Sequence, residues 1–85
     1  MDYTITLTDT EHKSMEFIAI DVKDWITNAA INRARKAKLE IIALNTAHCN
    51  KNGIAIAVGE DAQVAQAYSL GIVKTAAERD AASSI

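Results

Sequence analysis

The chain has 85 residues, a net charge of −2, a single cysteine and no proline. A chain this short makes one small domain that buries only about 60–65% of its unfolded surface, so a partner subunit is an expected source of stability. A lone Cys49 excludes an internal disulfide, no Cys/His spacing matches a structural zinc site, and no apolar run approaches the roughly 20 residues that span a bilayer.

The opening Met1-Asp2-Tyr3-Thr4 has neither the basic start nor the apolar stretch of a signal peptide, so a soluble protein of a reducing, cytoplasmic compartment is expected. "YTITLT" at 3–8 alternates Tyr3, Ile5 and Leu7 with Thr4, Thr6 and Thr8, the period of a strand with one buried face, and predicts a short N-terminal β-strand. Thr8-Asp9-Thr10-Glu11 has the capping-box spacing and starts a helix over roughly 9–19. Asp21 is the next N-cap, with Asp24 in the positive first turn. From Val22 to about Asn50 there is neither Pro nor Gly and much Ala, Leu, Lys and Arg, which predicts one long helix.

Asn52-Gly53 stops that helix by supplying a residue able to take positive φ. "IAIAV" at 54–58 reads either as an extended piece pairing with the first strand or as a buried connector. "EDAQVAQAYSL" at 60–70 has acids in its first turn and Gly71 after its end, the pattern of a third helix. Thr75-Ala76-Ala77-Glu78 repeats the capping-box spacing and starts a short last helix, and the following "DAASSI" is expected to fray. The fold class is therefore mainly α: one central helix over about 22–50, short flanking helices and a short N-terminal strand in a single domain, 1–85.

At 100° per residue the long helix collects Val22, Trp25, Ile26, Ala29, Ala30, Ala37, Ile41, Ala43, Leu44 and Ala47 on one broad arc, read as the core face. Ile31, Leu39, Ile42 and Cys49 fall on a second arc roughly opposite. Such a helix needs cover on more than one side. Twenty-eight residues also make a rod of ~42 Å, longer than the ~30 Å diameter of a globule of this size. Both points lead to a homodimer in which long helices from two subunits pack together. Sixteen alanines permit close helix approach, although helix propensity alone also accounts for them. The expected interface is Trp25, Ile26, Ala29, Arg33, Ala37, Glu40, Ile41 and Leu44.

Charge is unevenly spread: residues 1–24 hold six acids and two bases, residues 25–51 one acid and five bases, and residues 52–85 four acids and two bases. The basic middle includes Arg33, Arg35, Lys36 and Lys38. Arg33 and Glu40 sit in the apolar arc, Lys36 at its edge, and Arg35 and Lys38 toward the other side, a poor stripe for reading a nucleic-acid groove. Arg33 and Glu40 are about two turns apart, too far to pair within one helix, but in an antiparallel two-fold pair each faces the other residue of the partner. Against this stands a plainer account: Arg33 snorkels to water and Glu40 pairs with Lys36. Weak nucleic-acid binding through Arg33, Arg35, Lys36 and Lys38 of two copies is the alternative function.

Signals of catalysis are weak. His48 and Cys49 are adjacent on a helix and diverge by ~100°, His12 is remote in sequence, and the glycines at 53, 59 and 71 are isolated, so no metal site, no nucleophilic pair and no phosphate loop is expected. No cofactor is implied. The stretches "YTITLTDTE", "DWITNAAINRARKAKLEII" and "GIVKTAAERDA" resemble a class of small uncharacterised proteins encoded by tailed bacteriophages, including marine ones. That resemblance covers most of the chain and implies a viral protein made in the bacterial cytoplasm, transferring no catalytic residue. The function expected is non-enzymatic: a structural, assembly or adaptor protein, as a virion component or as an inhibitor binding a host protein.

Overall fold

A computed structural model describes residues 1–83. Four helices occur among them: α1 (Asp9–Glu16), α2 (Val22–Asn52), α3 (Glu60–Ser69) and α4 (Ala76–Ser83). The long central helix is present and runs unbroken for 31 residues. The chain divides into two compact units, Met1–Arg33 and Ala34–Ile85, with α2 contributing to both.

In the first unit, Thr8 caps α1 as its spacing requires. The Glu11 amide donates to Thr8 Oγ1 at 3.2 Å and the Thr8 amide donates to Glu11 Oε1 at 2.9 Å, satisfying two amides that helix geometry leaves without partners. Regular helix ends at Glu16 rather than near residue 19; the amides of Phe17, Ile18 and Ala19 continue in a tightened turn onto the carbonyls of Ser14 and Met15. Asp21 caps α2, taking the Asp24 amide on Oδ1 at 3.0 Å. The predicted strand over 3–8 is absent. Among the described residues no strand occurs, because a strand exists only through ladder bonds to a neighbour and neither 3–8 nor 54–58 has one. No residue of this unit is fully buried; Leu7, Met15, Ala19, Val22 and Ile26 are half-buried.

The second unit holds the core. Cys49 and Ala67 are buried, and so is Asn45. Around them Ile41, Ile42, Thr46, Ile54, Ile56, Val64, Ile72 and Val73 are half-buried. Both helix ends in this unit close in the same way. Gly53 takes φ 66° and passes the Ile54 amide to the Cys49 carbonyl at 2.9 Å; Gly71 takes φ 72° and passes the Ile72 amide to the Ala67 carbonyl at 2.9 Å. Each is a Schellman turn, which returns the chain over the helix it has just left. Residues 54–58 are a connector, lying between Gly53 and the start of α3. Thr75 and Glu78 form the second capping box, with 3.2 and 3.1 Å bonds, and α4 continues through Asp80–Ser83, the part expected to fray; Ser84 and Ile85 lie outside the described residues.

The buried stripe of α2 corrects the expected core face. In the second unit it runs through Ile41, Ile42, Asn45, Thr46 and Cys49, whereas Ala43, Leu44 and Ala47 are exposed. Ile42 and Cys49 belong to the arc read from sequence as secondary. The reason is that the stripe is centred on an asparagine: a hydrophobicity pattern counts Asn45 and Thr46 as outward-facing and shifts the apparent core face toward Leu44.

Candidate functional site

Burial of Asn45 is possible because its polar atoms are matched. Its Nδ2 donates to Gln66 Oε1 at 3.0 Å, and its Oδ1 accepts from Cys49 Sγ at 3.8 Å, a weak sulfur bond. Gln66 does more. Its Oε1 also accepts the Ala57 amide at 3.0 Å, and its Nε2 donates to the Ala55 carbonyl at 2.8 Å. One side chain of α3 thereby satisfies the connector's backbone on both sides of Ile56 and the one buried amide of α2. This explains how a segment without ladder bonds lies against a core, since a buried backbone group without a partner costs roughly 1–3 kcal/mol. No buried side-chain nitrogen or oxygen among the described residues is left without a hydrogen bond. The network is structural, and sequence reading missed it; the available signal was a polar residue, Asn45, at helical spacing between Ile41, Ile42 and Cys49.

The far side of α2 in this unit is open. Glu40 is exposed, Leu44 retains 55% of its surface, and Ala43 and Ala47 lie beside it. The expected interface residues divide accordingly. Trp25 (46% exposed), Ala29, Arg33, Glu40 and Leu44 face solvent, while Ile26, Ala37 and Ile41 are half-buried by their own chain. Among the described residues neither Arg33 nor Glu40 has an ion-pair partner, so the Lys36–Glu40 pair of the plainer account is not formed. Of the four clustered cations, Arg33, Arg35 and Lys36 are exposed, whereas Lys38 Nζ reaches across to Glu60 Oε1, 3.0 Å away in the first turn of α3.

The first unit contains a groove of about 830 Å³ between residues 3–7, α1 and the start of α2; Tyr3, Ile5, Leu7, Val22 and Ile26 supply its apolar lining, and Thr4, Asp9, His12, Lys13, Lys23 and Thr27 its polar lining. His12 Nδ1 lies 3.1 Å from Glu16 Oε1, with Lys13 Nζ 3.7 Å from the same oxygen, so the Glu16 carboxylate is shared by two neighbours on α1. The two Thr8 bonds, the one from its backbone amide first, hold the Glu11 carboxyl below the usual carboxylate range. Outside the groove, Phe17 and Ile20 are almost wholly exposed.

His48 is exposed and Cys49 fully buried, so these neighbours do not meet at one site. No group of three or more His, Cys, Asp or Glu among the described residues is placed to hold a metal ion. No described helix is long and apolar enough to cross a membrane. No family model, curated protein or solved structure matches this chain.

Proposed function

We propose that this chain is a non-enzymatic structural, assembly or adaptor protein, encoded by a tailed bacteriophage and made in its host's cytoplasm, that works by self-association through the uncovered face of α2. One observation carries the reading: in the second unit α2 buries the stripe centred on Asn45 and leaves Glu40, Ala43, Leu44 and Ala47 in solvent. Small alanines let a second helix come close, Leu44 provides an apolar anchor, and the unpaired Arg33 and Glu40 provide opposite charges two turns apart. In an antiparallel pair of helices each Arg33 meets a Glu40 of the other copy. Nucleic-acid binding through Arg33, Arg35, Lys36 and Lys38 is the weaker reading, because Lys38 is engaged by Glu60.

Sedimentation equilibrium on charge variants tests the proposal. Arg33→Glu places like charges together and weakens the dimer, and the double exchange Arg33→Glu, Glu40→Arg recovers part of the loss. If the contact excludes water the single change costs roughly 3–5 kcal/mol, and if it stays wet less than about 1. Equal association of parent and both variants rejects the helix face. Salt-sensitive DNA or RNA binding lost on changing Arg35 and Lys36 to Gln would favour the cationic reading instead.

A further inference from the structure

Residues 3–7 combine two properties that conflict within one copy of the chain. Their sequence has strand periodicity, with Tyr3, Ile5 and Leu7 on one side and Thr4 and Thr6 on the other. Yet among the described residues no backbone N–H or C=O from Tyr3 to Leu7 makes a hydrogen bond, and backbone bonding begins only at Thr8. The segment itself carries no charge and no proline, two of the devices that shield a free edge. Its apolar side is half-seated: Tyr3, Ile5 and Leu7, together with Thr4, line the groove with Val22 and Ile26, but Tyr3 keeps 81% and Ile5 61% of its surface.

We propose that Tyr3–Leu7 is an intermolecular β-strand whose partner is the same segment of a second copy, paired antiparallel about a two-fold axis through Ile5. Side chains directly opposite one another in an antiparallel pair share a face, so a two-fold pairing must match residues of equal parity. Centred on Ile5, it sets Ile5 against Ile5 of the second copy, Tyr3 against Leu7, and Thr4 against Thr6. One face of the ribbon is then wholly apolar and the other wholly threonine, both favourable cross-strand combinations, and no two like charges are opposed. The match uses only the segment's own sequence, so a second copy of the chain supplies a complete partner strand. A two-stranded ribbon is marginal by itself, and the apolar floor of Val22 and Ile26 provides the packing it needs. The contact does not rest on the helix-face reading and is scored by a different signal.

Amide hydrogen exchange on the full chain, at low and high protein concentration, is the test. A paired ribbon protects alternate amides only, either those of Tyr3, Ile5 and Leu7 or those of Thr4 and Thr6, by tenfold or more at high concentration, and the protection fades on dilution. Proline placed within the protected set, Ile5→Pro or Thr6→Pro, removes protection from the other members while the helical circular dichroism is unchanged. An Ile5→Cys variant, with Cys49 buried and out of reach, forms a disulfide-linked dimer on mild oxidation. Fast exchange at every concentration overturns the proposal and leaves the edge for a strand of another protein. Contiguous rather than alternate protection overturns it too, as does protection that survives proline.

Discussion

Residues 34–83 and residues 1–33 draw on similar side chains and differ in what they bury. The second unit sequesters Asn45, Cys49 and Ala67 and ties its connector to α3 through Gln66; the first leaves every residue at least partly wet, with Phe17 and Ile20 standing in water. The first unit is not poorer in apolar residues, since Tyr3, Ile5, Leu7, Phe17, Ile18, Ile20, Val22, Trp25 and Ile26 all lie there. It lacks a second layer to lay them against. A helix or extended segment with one apolar face becomes stable only when that face is covered, and contiguous uncovered apolar surface marks a contact surface. The contrast separates a part that buries a core of its own from a part whose apolar side chains stay largely uncovered.

The largest effect is expected from Gln66→Ala. Three hydrogen bonds vanish together, at about 1 kcal/mol each, so urea unfolding followed by helical circular dichroism should show a loss of about 2–3 kcal/mol. A loss below one half would mean that water replaces the side chain and that the core of the second unit is looser than its geometry indicates. Next comes Gly53→Ala. Nothing lies within 4 Å of the added methyl, so the whole cost is the positive φ of 66°, about 1 kcal/mol in the same measurement. A neutral result would show that the turn after α2 relaxes freely.

Thr8→Ala acts on the first unit alone, removing one half of the α1 capping box. Amide exchange over Asp9–Glu16 should accelerate while the urea midpoint of the second unit stays put. If the midpoint moves as well, the two units share one cooperative transition and the contrast drawn between them fails. The smallest effect is acidic. Because Glu11 is held below its ordinary carboxylate value, the stabilisation it contributes is fully present above that value and disappears as pH falls through the lowered one. Exchange protection of α1 in the parent should therefore decline through that acidic window, with no matching decline in a Glu11→Gln protein, which keeps an acceptor for the residue 8 amide but has no carboxyl to titrate.

Helix starts and the turn after α2 were legible in the sequence because the interactions they depend on are local, whereas the end of α1, at Glu16 rather than near residue 19, was not. Both capping boxes, the Asp21 cap, the stop at Gly53 and the continuity of α2 each rest on bonds between residues within five positions of one another, and no distant contact competes with them. The strand over 3–8 shows the opposite case: its alternation is genuine, but a ladder needs a second strand, and periodicity carries no information about whether one is available. The face of α2 that becomes core was decided by tertiary structure for the same kind of reason. Asn45 is an inward residue only because Gln66, 21 positions later, accepts its amide hydrogen while also bonding the Ala55 and Ala57 backbone. Hydrophobicity scales score an asparagine by its cost in the absence of such a partner, so the stripe from Ile41 to Cys49 stayed hidden behind the more conspicuous Leu44 and its alanines.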